Sequence, residues 1–549
     1  MSYVLTIIYF IAYLAAAVLG IRYYTHMLQL SSYQFQGYFR FLRSKPHRYG
    51  LHVGFLCITI LAGVLGNGKY GHICGIISLM FLIFLVIQYI PKKAKKKFVV
   101  TKRVQRLFIT LAILLGIFMV AAFCFWKNGG HASTAVLLLD SGEAISYQPS
   151  IKIVSAYALL AVFMGFLPLV IALANLINKP VEKKVNDWFI HDAQRILKEH
   201  PNLRIIGITG SYGKTSVKYY LWTLLSEGYR VLMTPESYNT PMGVVRTIRE
   251  QLTPMHEIFI CEMGARHVHD IKEITDIVHP DDGILTSIGP QHLETFYSMD
   301  NIINTKYELF DAVSEKSSNG LKFANGDNEF ITGNKRHDNV IYYGVSEGCD
   351  YRATDVQYSA DGASFKVTTP DGETCDYTMK LLGEHNVTNV VGAIAMAHKL
   401  GIPLAKLKMA VRRITPAPHR QELIKRGNVS IIDDAYNSNP MGAKRALDTL
   451  SKFKDSVRIL VTPGMVELGE KEADYNREFG AQAAAACDYI ILVGGDHVKP
   501  IKEGALAAGF SEDRLFIKDN LSDATALMYE IDAGKQKVIL LENDLPDNY

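Results

Sequence analysis

The residues best suited to chemistry stand together at 207–216. Gly207, Gly210 and Gly213 recur at every third position and run into Lys214-Thr215-Ser216, giving GxxGxxGKTS. A glycine-rich turn lets backbone N–H groups approach an anion, and a helix N-terminus behind it adds a positive field. A lysine at this place meets β- and γ-phosphates, and the next hydroxyl can hold Mg²⁺. The usual spacing, GxxxxGK[ST], would put a glycine at 208, where Ile208 stands. Gly210, Ser211, Gly213, Lys214, Thr215 and Ser216 are therefore predicted to bind the phosphates of a nucleotide such as ATP. A metal–triphosphate site also needs oxygen ligands. Glu262 closes an apolar run, EIFICE, and His292 follows another in GPQH. Alone, Glu262 fits a structural role as well as a metal role. Alone, His292 reads as a cap or core residue, because an isolated histidine has many uses.

Those groups need a scaffold. LRIIGIT (203–209) reads as a buried strand leading into the glycine turn, with a helical pattern after it. Residues 257–262 and 283–288 read as further strands, and an acid at the carboxyl end of a parallel strand is where α/β sheets place ligand groups. Strands near 429–433, 457–461, 488–493 and 537–541 alternate with helical patterns, which describes a second α/β domain.

The chain is 549 residues long, enough for three to four domains at about 150 residues each. Its net charge of +4 hides a split. Residues 1–180 hold 17 Lys and Arg against two acids, Asp140 and Glu143, and the remainder carries a balance of −11. The basic part is also the apolar part, which points to a membrane region and away from nucleic acid. Five apolar stretches, 3–21, 51–67, 73–90, 107–126 and 153–177, lack Asp, Glu, Lys and Arg. Each approaches the roughly 20 residues that cross a bilayer. No basic segment precedes the first, and Arg22 follows it, so it does not read as a cleaved signal. Basic loops (22–50, 91–106 and the segment after 178) alternate with near-neutral ones (68–72 and 127–152). That predicts a multi-pass protein of the cell membrane with its N-terminus outside and everything after 178 cytoplasmic. The lysine run at 92–97 serves as a topology signal, or binds acidic lipids. The stretch 24–43 suits an interfacial helix or a loop packed on the bundle. Residues 180–199 open with Pro180 and read as a connecting helix. Seven cysteines without a CxxC pair exclude a zinc ribbon and a disulfide scaffold.

Six segments stand in an order that resembles the Mur ligases, the ATP-dependent amide ligases of peptidoglycan precursor synthesis. They are GITGSYGKTS, CEMGARHVHDI, LTSIGPQHLETF, GEHNVTNVVGAIAMA, PAPHRQELI and IIDDAYNSNPMGAKRALDTL. The EMGA segment and the DDAYNSNP box look most like the branch that joins D-alanyl-D-alanine to UDP-N-acetylmuramoyl tripeptide. The resemblance runs from about 200 to 535. It implies an α/β P-loop ATPase domain (201–414) and a Rossmann-like α/β C-terminal domain (415–549); with the α-helical membrane bundle (1–178) and connecting helix (179–200) read from hydropathy and charge, the chain is expected to be a multi-domain protein.

The resemblance also implies roles. Lys214 and Thr215 match γ-phosphate and Mg²⁺ positions, and Glu262 and His292 match metal ligands. Lys306, which alone reads as a solvated helix lysine, matches a lysine carbamylated by CO₂ in many members. A carbamate would turn that cation into a metal ligand. His385, Asn386 and Asn389 match a GxHNxxN box beside the nucleotide. Arg420 matches a phosphate-contacting arginine, although His419 stands where glycine is usual. Asp434, Asn437 and Asn439 match a DDxYNxNP box that helps close the site. Asn239 and Thr240, before Pro241-Met242-Gly243, resemble a substrate loop.

Two departures bear on substrates. Membrane spans replace the usual small domain that grips the UDP end, and an acidic tail with Pro546 replaces a Lys-Gly-Ser segment. The expected activity is an ADP-forming carboxylate–amine ligase acting on a small or lipid-linked cell-wall precursor. A membrane-bound polyglutamate-type synthetase shares the same ATPase core. A P-loop ATPase coupled to transport is disfavoured by spans without acids or bases. A dead scaffold is disfavoured by the intact Lys214, Glu262, His292 and Lys306 set.

Overall fold

The computed structural model describes the chain apart from residues 1–2, 45, 66–68, 91–96, 129–134, 139–143, 148–158, 160, 237, 360–361, 436–438, 467, 532–533 and 544–549. It divides into two units, Met1–Asn186 and Asp187–Leu545.

The first unit is helical: α1 (Tyr3–Leu30), α2 (Phe35–Ser44), α3 (Pro46–Leu65), α4 (Lys69–Tyr89), α5 (Lys102–Asn128) and α6 (Leu167–Lys198), with a ribbon of β1 (Ala135–Leu138) against β2 (Ala144–Tyr147). Small residues let these helices approach. A Cβ at Gly20 would lie 2.7 Å from Leu167, and one at Gly165 would lie 2.9 Å from Leu56. The outward surface is apolar as well. Ile109, Ile113, Ile117 and Val120 of α5 are each about 60 % exposed, as are Ile7, Ile11 and Val18 of α1. A helix of a water-soluble bundle turns such a stripe inward.

Among the described residues two segments are long and apolar enough to cross a membrane, Ile7–Leu30 and Lys102–Ala121. The second and third expected spans fall on shorter apolar helices, Arg48–Ala62 and Ile73–Tyr89. Most of the first part of the fifth, and the loop residues Asp140 and Glu143, lie outside the described residues, as do Lys92, Lys93, Lys95 and Lys96.

Two local expectations change. The 24–43 stretch divides between the end of α1 and α2, and α2 packs inward: Tyr38 is fully buried and its hydroxyl donates to the Pro168 carbonyl at 3.0 Å. No helix begins at Pro180, which lies inside the continuous α6. The apolar run ahead of it is itself helical, so the proline removes one backbone donor within a longer helix. Glu182 on the next turn takes two bonds from Arg106, at 2.6 and 2.7 Å.

The second unit holds two sheets. The first has nine strands among the described residues, in the order β11-β10-β9-β8-β7-β6-β3-β5-β4. These are β3 (Arg204–Thr209), β4 (Val231–Met233), β5 (Ile258–Glu262), β6 (Asp282–Leu285), β7 (Lys322–Asn325), β8 (Val340–Gly344), β9 (Tyr351–Ser359), β10 (Gly362–Thr368) and β11 (Thr374–Met379). Strands β3 to β9 pair in parallel, and the β9–β10–β11 edge is antiparallel. The expected strands at 203–209 and 257–262 are β3 and β5, buried on both faces as parallel strands require. The third is shorter than read: 286–288 leave the ladder, because Thr286 and Ser287 turn their hydroxyls to the glycine loop.

The second sheet runs β12-β13-β17-β14-β15-β16: β12 (Glu422–Arg426), β13 (Val429–Asp434), β14 (Val457–Thr462), β15 (Tyr489–Val493), β16 (Leu515–Lys518) and β17 (Lys537–Glu542). All its pairs are parallel except β12–β13. Helices α7 (Lys214–Leu225), α8 (Pro241–Gln251), α9 (Asp270–Val278), α10 (Met299–Lys316), α11 (His385–Lys399), α12 (Leu404–Arg413) and α13 (Pro440–Ser451) cover the two sheets.

Candidate active site

The glycine loop leaves β3, which lies between β5 and β6 in the sheet, and turns into α7. Gly210 has φ 151°, and a Cβ there would lie 2.2 Å from Thr286 Oγ1. Gly213 caps α7 at φ 82°. Both positions exclude larger residues. The loop is tied down by the 286–290 segment. Ser211 N donates to the Ser287 carbonyl at 2.7 Å, Tyr212 N to Ser287 Oγ at 2.9 Å, and Ser211 Oγ to the Gly289 carbonyl at 3.0 Å. Ser211 thus shapes the loop through its side chain, and Ser216 hydrogen-bonds Tyr220.

Lys214 arches back over the loop, its Nζ donating to the carbonyls of Gly210 at 2.6 Å and Ser211 at 3.1 Å. Burial pushes its pKa down to about 8; Glu262 opposes that and Arg420 adds to it. Glu262, at the end of β5, is 1 % exposed. Its Oε1 accepts from Thr215 Oγ1 at 3.1 Å and Asn239 Nδ2 at 3.0 Å, and Oε2 pairs with Lys218 Nζ at 2.9 Å. Burial alone would raise its pKa, but Lys218, Lys214 and these bonds outweigh it and hold the carboxylate below its usual range. Sequence reasoning missed Lys218. The available signal was helical spacing: Lys218 follows Lys214 by four residues on α7, so both ammonium groups lie on one face.

Lys306 is buried on α10 and its pKa lies well below that of a free lysine, through burial first and the Lys214 charge second. The reading of Lys306 as a solvated lysine is corrected by this burial. His292 stands at φ 53° and opens a single helical turn, Leu293–Phe296, its carbonyl accepting from Thr295 and Phe296. Among the described residues no three His, Cys, Asp or Glu side chains gather as a metal cluster. The hard oxygen donors brought into contact are Thr215 and Glu262.

Asn386 uses both ends of its amide internally, accepting from Tyr220 OH at 2.9 Å and donating to the Leu382 carbonyl at 2.6 Å. Asn389 lies against the loop, its Oδ1 3.0 Å from where a Gly213 Cβ would stand. Asn239 holds Glu262 and its carbonyl accepts from Gly264 N at 2.7 Å. Thr240 caps α8 and Asn439 caps α13, accepting from Gly243 and Gly442 respectively. Asn437 lies outside the described residues.

The second sheet contributes Arg420 and Asp434. Arg420 acts electrostatically on both Lys214 and Asp434. Burial pushes Asp434 up to about 6, with Arg420 opposing. His419 has φ 57°, a conformation that suits glycine, and bonds Asp433 through Nδ1 at 2.7 Å.

A phosphate loop on one parallel sheet, an acid at the adjacent strand end and an arginine beside a second sheet that bears electrostatically on the loop lysine fit a two-domain nucleotide-dependent phosphoryl-transfer fold. Residues 208–397 match the Mur ligase middle domain, and residues 419–542 match the Mur ligase, glutamate ligase domain. The chain belongs to the Mur ligase family. It is 31 % identical over 347 residues to the UDP-N-acetylmuramoyl-tripeptide–D-alanyl-D-alanine ligase of Haemophilus influenzae, covering 62 % of this chain and 73 % of that one. The Bacillus subtilis protein of the same name is 28 % identical over 344 residues, covering 60 % and 73 %. A crystal structure of MurF from Acinetobacter baumannii superposes with a TM-score of 0.59 at 25 % identity, over 66 % of this chain and 78 % of that one. MurF ligase from Thermotoga maritima, solved with ADP, shares the fold at TM-score 0.56 and 22 % identity, over 65 % and 80 %.

Proposed function

We propose that this chain is a membrane-anchored, ATP-dependent, ADP-forming amide ligase that joins D-alanyl-D-alanine, or a related amine, to a peptide carboxylate in peptidoglycan precursor synthesis. The observation that carries this reading is the phosphate loop with Thr215 held against Glu262 at the end of the neighbouring strand, in a chain whose two α/β regions match the family's middle and C-terminal domains. Arg420 of the C-terminal domain bears electrostatically on Lys214. The relatives' names supply the substrate class, and the domain bounds 201–414 and 415–549 enclose the two family matches.

In the proposed reaction a substrate carboxylate oxygen attacks the γ-phosphorus of ATP, and ADP leaves. The amine then attacks the acyl phosphate carbon, loses a proton, and inorganic phosphate leaves with the C–O bond. Lys214 and Arg420 neutralise charge that grows on the transferred group, which is where fixed cations lower a barrier most. Thr215 and Glu262 fit Mg²⁺: two hard oxygens already meet at 3.1 Å, and Lys218 leaves Oε1 to them. Thr215, Glu262 and His292 would hold Mg²⁺, which would supply charge neutralisation for the phosphates. Lys306 fits carbamylation. Its burial favours the neutral amine, the form that attacks CO₂, and the product anion could hold a cation near Lys214. Gly210, Gly213, Asn386, Asn389 and Asp434 are assigned to the nucleotide. Asn239, Thr240 and Asn439, with Asn437 by its place in the sequence, are assigned to the substrate.

The helical unit is read as a multi-pass domain of the cell membrane, N-terminus outside and ligase domains in the cytoplasm. The apolar outer faces of α1 and α5 support this, as does the alternation of basic and neutral loops. Such an anchor suits a lipid-linked acceptor. The test is ADP release by the detergent-purified chain with ATP, UDP-N-acetylmuramoyl tripeptide and D-alanyl-D-alanine, each omitted in turn. Release should need all three, and Lys214→Ala should abolish it while leaving the melting temperature in place. That contact is worth about 2–4 kcal/mol in a transition state. Release indifferent to the tripeptide and the dipeptide would overturn the reading.

A further inference from the structure

The helical unit carries a polar cluster that the ligase reaction does not use. Asn175, Asn178 and Glu182 follow one another along α6 at spacings of three and four, so they share one face. That face meets α5 and the turn between α1 and α2. Asn175 Nδ2 donates to the Tyr33 carbonyl at 3.1 Å, and Asn178 Oδ1 accepts from Thr110 Oγ1 at 2.9 Å. One turn nearer the start of α5, Arg106 takes both oxygens of Glu182, at 2.6 and 2.7 Å. Nearer the start again, the Arg103 guanidinium lies over the Tyr33 ring, 3.8 Å from its centre.

The charges of this cluster do not balance. Asp140, Glu143 and Glu182 are the acids of residues 1–186, and Glu182 alone of them lies among the described residues. Arg106 occupies it, and Arg103 Nε stands 4.0 Å from it, beyond hydrogen-bond reach. Three buried atoms have no hydrogen-bond partner among the described residues: Arg103 Nε, Asn178 Nδ2 and the Tyr33 hydroxyl. Asn178 is itself only 8 % exposed. Each of the three can donate, and the two nitrogens can only donate. Buried donors are costly to leave unmet. Donors with one cation in excess are matched by an anion that offers several oxygens.

The donors are spread along the helix. Thr110, which holds Asn178, follows Arg103 by seven residues, roughly 10 Å of rise. That is more than one free phosphate spans. It suits a molecule whose further oxygens follow its phosphate inward. The surroundings are those of a lipid: Ile109 on α5 and Leu176, Ile177 and Val181 on α6 are exposed and apolar, while Lys102 and Lys179 are exposed cations near the same end. We propose that Arg103, Tyr33 and Asn178 form a binding site for an anionic phospholipid of the cytoplasmic leaflet. Arg103 and the Tyr33 hydroxyl take the phosphate, and Asn178, deeper, donates to an ester oxygen. The planar guanidinium, fixed by its stacking on Tyr33, suits phosphate oxygens, and a basic juxtamembrane surface draws such lipids to it. The inference rests on the membrane reading proposed above.

The test titrates the full chain, purified in a neutral detergent, with dioleoyl phosphatidylglycerol, with dioleoyl glycerol and with inorganic phosphate. Affinity is read from the rise in melting temperature. The wild type should bind phosphatidylglycerol about tenfold or more tighter than dioleoyl glycerol, since a hydrogen-bonded charge is at stake, and inorganic phosphate should give no rise at the same concentration. Arg103→Ala should remove that preference and leave dioleoyl glycerol unchanged. Asn178→Leu should weaken both lipids. Tyr33→Phe, which removes only an unpaired hydroxyl, should weaken phosphatidylglycerol alone and leave the lipid-free melting temperature in place. If Arg103→Ala lowers the lipid-free melting temperature, Arg103→Lys replaces it. The lysine keeps the charge but lacks Nε and the planar fork, so part of the preference should be lost. Equal affinity for the two lipids, wild-type affinity for phosphatidylglycerol in the Arg103 and Tyr33 variants, or an equal rise with inorganic phosphate would overturn the proposal. A wild-type chain that stays monodisperse without detergent would overturn the membrane reading, and the proposal with it.

Discussion

Lys306 shows how far a residue's neighbours change its chemistry. A lysine on an amphipathic helix is ordinarily a solvated cation. Here it is 2 % exposed, and burial and the Lys214 charge favour the neutral amine. Lys306→Ala should lose most ADP release. Bicarbonate or a small carboxylic acid, seated in the space left by the side chain, should restore part of it. Lys306→Glu should retain more activity than Lys306→Arg, since it supplies an anion near the metal position. Equal rates for the Glu and Arg variants would leave Lys306 without a carbamate. The phosphate-loop residues were legible because their pattern is local. Lys218 was not, because its pairing with Glu262 joins α7 to β5, which lie 44 residues apart in sequence. The duties of Asn386 and Asn439, an internal amide clamp and a helix cap, were also hidden until their neighbours were placed.

Among the elements, the strands that were continuous apolar runs were read nearly to their ends, because a parallel strand is buried on both faces. The exceptions have physical causes. The 286–288 segment, Thr-Ser-Ile, continues directly from its strand in sequence, yet its hydroxyls serve the phosphate loop. Pro180 signals a helix start only if the preceding residues are not helical, and they are. The pairing of β3 with β6 offers a direct check. Asp282 is fully buried, takes two bonds from Arg204 at 2.6 and 2.9 Å, and accepts from Leu321 N at 3.0 Å. Arg204 is 43 % exposed and can turn to water, but the Leu321 amide cannot. Asp282→Ala should therefore cost about 2 kcal/mol of stability in the soluble unit, read as a lower denaturant midpoint. A midpoint equal to wild type would contradict this register.

Across the whole molecule, charge separates an apolar basic half from an acidic α/β half, and that division was visible in composition alone. Among the described residues two helices satisfy the length and apolarity of a crossing segment, while the regions of the second and third expected spans form shorter apolar helices and much of the start of the fifth lies outside the described residues. The proposed topology makes a direct prediction. Reporters or accessible cysteines placed at 92–106 and after 200 should report the cytoplasm, and those at the N-terminus and at 127–152 the outside. Finding 92–106 outside would contradict it. The central claim is that the chain forms an amide bond at the expense of ATP, and the mass of the product tests it most directly. The purified chain, given ATP, UDP-N-acetylmuramoyl tripeptide and D-alanyl-D-alanine, should yield the tripeptide heavier by the dipeptide less one water, with one ADP per bond. ATP hydrolysis with both substrates recovered unchanged would contradict the account.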